Sequence, residues 1–444
     1  LHLLEMRKQR DRLSGRVERK AQTVMPVQNA VPQDRRRWPR LLAACAIMVS
    51  IGFIYGWSVF STPLAAEFGW DPTTISFTFT VLMWAFCAGG IIGSKVARKT
   101  SPRCALIVSA AGIFMAFALT ATLIQPDAPW VMYVAYGALG GGCVGMAYTT
   151  TMGATIPWFP DRTGFASGML LLCYGMSTMI LGSVATALFA AIGWRWSFVA
   201  LSASIAVAIG LLSLAIKNPR SDEVRRTRTR SNEAPDASAP ETTAVDTGFA
   251  TADMLKRPVF YLYAAWMVSV SSIGLGLIGS ANQVALDIGA AIPLAAFIVG
   301  TLSVCNGLGR LATGFAFDLL GISATMAVVA AAHIAGCLLI AAAIVQHSVA
   351  LMVVGAIVGG LGIGGTSVVG SGFIAKAFGE AHYAENLSIL NLSLIPAALA
   401  GPLVMSSSAS GAGSYLAGVA ALAAIGLIAL ALSRITKALL TRRG

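Results

Sequence analysis

GALGGGCVGMAYTTTMGATIPWF (137–159) and GAIVGGLGIGGTSVVGSGFIAKAF (355–378) read as two copies of one design, pairing Gly137, Gly141 and Gly142 with Gly355, Gly359 and Gly360. A second pair falls at nearly the same offset, GSKVARKTSPRCALIVSA from Gly93 lying on GFAFDLLGISATMAVVA from Gly314. Internal repetition at so long a period, in units that are almost wholly apolar, predicts two halves built on one membrane-embedded plan. GLGIGG (360–365) imitates a dinucleotide-binding glycine loop, but no strand precedes it and the glycines lie inside an apolar helix. Small residues four apart, as in Gly137 and Gly141 or Gly355 and Gly359, instead suit helices that pack closely.

Outward from these repeats the whole chain is apolar. Of 444 residues, 56% are hydrophobic and 11% charged, with a mean hydropathy of +0.75; soluble domains are about a quarter charged. Twelve stretches reach the roughly 20 apolar residues that a bilayer crossing needs. They are 41–64, 75–96, 104–124, 130–156, 165–192, 196–216, 259–283, 291–313, 322–345, 350–375, 386–406 and 413–435. The fold class expected is an all-α membrane protein of 12 transmembrane helices in two six-helix pseudo-symmetric halves, 41–216 and 258–435. A basic arm (1–40), a polar interruption (217–257) and a short tail (436–444) complete the chain. The interruption is rich in Ser, Thr, Pro and charge, and its composition predicts a mostly disordered linker.

The net charge of +12 would suggest nucleic acid in a soluble protein, but its distribution argues against that. With the arm placed in the cytoplasm, 29 of the 31 Lys and Arg fall on the cytoplasmic side, Arg195 falls outside and Arg310 within a span. Both termini are therefore expected in the cytoplasm. The arm lacks an apolar run before residue 41 and does not read as a secretory signal. Seven cysteines lie in apolar stretches without metal-ligand spacing and read as small buried hydrophobes. No cofactor or metal is called for.

Arg310, in NGLGRLATG (306–314), is the one charge in the interior of a predicted span. Eight residues separate it from Asp318, which at 1.5 Å per residue sets it ~12 Å inside the membrane, near the middle of a ~30 Å core. A guanidinium there costs at least about 2.5–3.5 kcal/mol. No span interior holds an Asp or Glu to offset it. Helix carbonyls or a path to the membrane surface are alternatives, but a bound anion is favoured, because a guanidinium matches a carboxylate with two parallel hydrogen bonds.

Several segments narrow the class. GFIYGWSVFSTPL (52–64), WFPDRTGFASGM (158–169), DMLKRPVFY (253–261) and NGLGRLATGFAFD (306–318), set in two parallel six-helix halves, resemble the major facilitator superfamily and within it the oxalate/formate antiporter family. The resemblance runs from about residue 38 to 435. It implies a secondary transporter with its substrate site near the midplane between the halves, in a bacterial inner (plasma) membrane. The partners implied are a small organic anion, with a proton or counter-anion as coupling ion, and the lipid bilayer. Two departures stand out. The acidic residue common after the second helix is replaced by Ala97, removing an acidic group for inter-half latching there. The eleventh-helix lysine of oxalate-carrying members maps near Leu394, and 386–406 holds no Lys or Arg. One cation neutralises one carboxylate, so a monocarboxylate is favoured over oxalate.

The resemblance also implies aromatic walls, at Tyr55, Tyr148 and Tyr174, with Trp57 nearby; packing aromatics are the plainer reading of each. The tenth and eleventh spans supply no comparable aromatics. Asn306, one turn before Arg310, stands where related monocarboxylate transporters have an acid, and an amide does not titrate. His333 is a coupling candidate, with a hydrogen-bonded structural role favoured. Lys95, Arg98, Asp161, Arg162 and Asp318 sit at cytoplasmic helix ends and are candidate gating residues. An exporter of amphipathic drugs, or an anion sensor that does not transport, would share the fold. Catalysis lacks a constellation: the four histidines are scattered singly.

Overall fold

The computed structural model describes residues 34–52, 64, 67–70, 72–218, 248–412 and 414–441. Residues to Pro39 form one unit and Arg40 onward another; the account below concerns the larger. Its helices are α1 (Asp34–Ile51, crossing that boundary), α2 (Pro72–Lys99), α3 (Pro102–Leu123), α4 (Gly141–Thr155), α5 (Thr163–Leu212), α6 (Pro258–Asp287), α7 (Ile292–Gln346), α8 (Val349–Phe378), α9 (Tyr383–Asn391), α10 (Leu394–Ala412) and α11 (Leu416–Thr441). A π-helical stretch, Tyr133–Gly140, leads into α4. No strand occurs among the described residues. Backbone groups in hydrocarbon must be satisfied within the segment, so long apolar runs have little alternative to helix.

Two of these helices bend back on themselves. Gly193 in α5 (φ 72°) and Gly321 in α7 (φ 75°) take up left-handed backbone that side chains disfavour. Each divides its helix into an incoming and an outgoing limb. Ten stretches among the described residues are long and apolar enough to cross a membrane, with Ile292–Gln346 counted once. Residues 53–63 of the first expected span lie outside the described residues.

The repeat is visible as paired helix crossings. In the first half, a Cβ on Gly141 would strike the Leu82 carbonyl and one on Gly145 the Phe86 carbonyl. In the second, Gly360 meets the Leu302 carbonyl (2.6 Å to a Cβ placed there) and Gly364 the Asn306 carbonyl. Backbone thus lies on backbone between α2 and α4, and again between the incoming limb of α7 and α8. Equivalence by contact matches Gly141 and Gly145 with Gly360 and Gly364, one residue away from the pairing read off the glycines alone. Alignment by residue identity had matched glycines that are neighbours of the contact.

The halves meet at the end where the basic residues gather. Gly164 of α5 and Gly314 of α7 face each other's carbonyls, and a Cβ on Gly168 would lie 2.7 Å from the Arg310 carbonyl. The polar interruption departs from its compositional reading where it ends. The Phe249 amide donates to the Phe378 carbonyl at 2.8 Å, Asn386 Nδ2 donates to the Phe249 carbonyl at 3.0 Å, and Thr251 Oγ1 donates to Asn386 Oδ1 at 2.9 Å. The Phe249 ring packs edge-on to Phe378 and under the Arg257 guanidinium, 4.7 Å away. Residues 248–257 are therefore docked on the turn between α8 and α9.

Candidate functional site

Arg310 points from α7 into the first half. Its Nη1 donates to the Leu171 carbonyl of α5, and its guanidinium lies over Gly175, where a Cβ would come within 2.6 Å of Nη1. In an α-helix the carbonyl of residue 171 already accepts from the amide of residue 175. A residue without a side chain at 175 leaves that oxygen open to a second donor. Gly168, Leu171 and Gly175, at helical spacing on one face of α5, form the seat of the arginine.

One acceptor is far from enough for a guanidinium with five N–H donors. Arg310 Nε is buried without a hydrogen-bond partner among the described residues, and so is Asn306 Oδ1, one turn earlier on the same helix. A buried donor and a buried acceptor left unmade each cost about 1–3 kcal/mol. Polar capacity is thus concentrated where the two halves touch.

The expected aromatics are partly assembled. Tyr148 and Tyr174, both buried, lie 5.3 Å apart, tilted by 52°, and Phe86 packs on Tyr148 at 5.3 Å. Tyr174 adjoins Gly175, so this cluster borders the arginine seat. Tyr55 and Trp57 lie outside the described residues. The second half contributes more aromatic surface than expected: Phe373 of α8 stacks on Tyr263 at 3.8 Å, and Tyr383, at the first position of α9, has its hydroxyl 2.6 Å from Ser371 Oγ. Phe373 lies within the tenth expected span and Tyr383 just before the eleventh, and both are buried in the hydrophobic core.

His333 is fully buried on the outgoing limb of α7. Its Nδ1 is 2.8 Å from the Val329 carbonyl and must be the donor there, because a carbonyl only accepts. The ring packs at Gly362 of α8, whereas the Arg310 amide packs at Gly364. Positions two apart on a helix are about 200° apart, so His333 and Arg310 flank opposite faces of α8. They are not brought together.

Of the five gating candidates, two join the halves. Asp318 accepts from the amides of Gly164 and Phe165, each at 2.8 Å, capping the N-terminus of α5. Arg98 of α2 pairs with Glu385 of α9 at 3.1 Å and lies 3.1 Å from His382 Nδ1. The loss of an acid at Ala97 therefore does not leave that end of α2 without a link to the other half; the next residue makes one with reversed charge. Arg162 and Asp161 are 3.9 Å apart within one turn, and Lys95 is exposed. At the opposite end, Arg195 stacks on Trp194 at 4.5 Å and donates to the Ala121 carbonyl at 2.7 Å. The sequence offered no signal for Leu171 as an acceptor; the small residues seven apart at 168 and 175 were the available hint.

Known proteins agree with this architecture. An uncharacterised MFS-type transporter of Escherichia coli, YhjX, is 23% identical over 286 residues, 64% of this chain and 67% of that protein. The oxalate:formate antiporter of Oxalobacter formigenes is 23% identical over 294 residues, 66% of each. The chain thus spans about two thirds of the length of these relatives. The proton:xylose symporter XylE superposes with a TM-score of 0.68 at 15% identity, covering 90% of this chain and 95% of that one. The Escherichia coli fucose:proton symporter FucP gives 0.63 at 12%, covering 89% and 98%. The family description Major Facilitator Superfamily matches residues 42–280, more than half of the sequence. With its helices, its repeated crossings and this match together, the chain belongs to the Major Facilitator Superfamily as an all-helical, multi-pass membrane protein.

Proposed function

We propose that this protein is a secondary active transporter that moves a small carboxylate anion, a monocarboxylate, by alternating access of two six-helix halves, with Arg310 as the carboxylate clamp. The observation that carries the reading is the state of Arg310. It is a guanidinium at the contact between the halves, with one backbone acceptor and a buried, unmet Nε. An anionic ligand supplies what that group lacks. Asn306, with its amide one turn away, and the Tyr148–Tyr174 pair are the neighbours suited to orient and enclose it. Similarity to an oxalate:formate antiporter favours a carboxylate, and the absence of Lys or Arg from 386–406 favours a single negative charge. The coupling ion is a counter-anion or a proton carried by the substrate itself.

The same reading sets twelve spans, with the breaks at Gly193 and Gly321 each dividing a helix, and places the basic end and both termini in the cytoplasm of a bacterial inner membrane. In that orientation the structure is closed toward the cytoplasm. Counterflow of labelled pyruvate, lactate, formate and oxalate into proteoliposomes tests the proposal, with Arg310→Lys and Arg310→Gln alongside. Accumulation of a monocarboxylate by wild type and its loss in both folded variants is the expected result. Unchanged transport in the variants removes Arg310 from the site, and preference for oxalate requires a second cation.

A further inference from the structure

A cavity of about 590 Å³ opens at the basic end, away from the arginine seat, and is lined by Leu320, Ile322, Ser323, Ala324, Ala327, Lys376, Ser433, Arg434 and Lys437. Three of these nine residues are cationic and none is acidic. Lys376 comes from the end of α8, and Ser433, Arg434 and Lys437 from the end of α11, while the remaining wall is the stretch of α7 around Gly321, from Leu320 to Ala327. The Lys376 ammonium is steadied over the ring of the buried Phe317, 4.6 Å from its centroid. Ser433 is already committed, donating to the Leu430 carbonyl at 2.6 Å.

On the membrane side of this mouth the same helices turn aliphatic side chains outward: Val328 of α7 and Ile428 and Ile435 of α11 are exposed. The arrangement is a cationic mouth continuous with a strip of branched hydrocarbon. We infer that the cavity binds the phosphate headgroup of an anionic phospholipid, whose acyl chains lie along this strip. The cations match the phosphate, basic pockets between helix ends being suited to such headgroups; the exposed aliphatic surface matches the chains and would suit no soluble anion. The inference needs only that the chain is a membrane protein and is independent of the transported substrate.

Each cation near the headgroup is worth about a fivefold change in affinity. The experiment uses the purified full chain in neutral detergent, with phosphatidylglycerol and phosphatidylcholine as lipid probes and glycerol 3-phosphate and inorganic phosphate as soluble ones. Retained lipid is read by native mass spectrometry and binding by thermal shift. Wild type is expected to retain phosphatidylglycerol in preference to phosphatidylcholine. A triple variant Lys376→Gln, Arg434→Gln, Lys437→Gln loses the preference, and a charge-matched triple Lys99→Gln, Arg103→Gln, Lys256→Gln keeps it. Should the first triple fail to fold, Arg434→Gln and Lys437→Gln singly must each weaken retention severalfold. Equal retention of the two lipids, equal loss in the matched triple, or a thermal shift from the soluble phosphates as large as that from phosphatidylglycerol overturns the assignment.

Discussion

Asp318 and Arg98 stand at corresponding helix ends of the two halves, Arg98 one residue beyond Ala97, which the repeat lays on Asp318, and each reaches across to the helix start that the other half presents. Asp318 accepts from the amides of Gly164 and Phe165; Arg98 pairs with Glu385, which lies 220 residues beyond Phe165. One latch is a carboxylate on bare amides. In the other, a helix carrying its own acid in the first turn, which suits the helix dipole, takes a cation instead.

The two latches are expected to differ in strength. Charge-assisted hydrogen bonds to partly buried amides contribute about 1.5–3 kcal/mol, whereas Arg98 is 52% exposed and such a pair contributes about 0–1 kcal/mol. Asp318→Asn should therefore open the basic end more than Arg98→Gln does. Alkylation rates of cysteines introduced at that end measure this, and equal rates in the two variants would contradict it.

Gly175→Ala should displace the guanidinium from Leu171, since the new Cβ would lie 2.6 Å from Nη1. A misplacement of this size at a binding group costs on the order of 100-fold in rate. In counterflow the double variant Gly175→Ala, Arg310→Gln should be no worse than Arg310→Gln alone, because both changes remove one interaction.

His333→Leu should leave transport and its pH dependence unchanged, since the ring lies on the far face of α8 from Arg310. It removes one intrahelical hydrogen bond, at a cost of about 1 kcal/mol, read as a small fall in melting temperature. A displaced pH profile would restore the histidine to the coupling pathway.

Gly364→Val should cost several times more. The position has the Asn306 carbonyl against it and the Arg310 amide 2.8 Å from a Cβ placed there, so helices must part; overpacking of this kind costs about 1–3 kcal/mol or more. Loss of folded protein in size-exclusion chromatography, compared with Gly279→Val at a position open within 4 Å, checks it.

Much of the fold was legible because its physical demands are simple. Membrane helices need long apolar runs, and backbone crossings need glycine, so both the spans and the repeat stood out. The register slipped by one because a sequence shows glycines but not the carbonyl each one faces. Arg310 was legible as a charge out of place, whereas its present acceptor, a main-chain oxygen, has no residue signature. Arg98 was legible only as one of several basic residues, since its role depends on Glu385 far along the chain. The docked end of the interruption was hidden by the polar stretch before it, although Phe249 was out of character there.

The clasp between Phe249, Thr251 and Asn386 also bears on how the molecule tolerates being cut. Asn386 adjoins Glu385, so the covalent strap between the halves ends on the turn that holds Arg98. A nick anywhere in 219–247 severs the strap but leaves its anchored end in place, and two separately made halves would still present matching surfaces. Asn386→Leu should undo this, freeing residues 248–257 from their dock so that trypsin cuts faster after the already exposed Lys256, and lowering the yield of reassembled carrier.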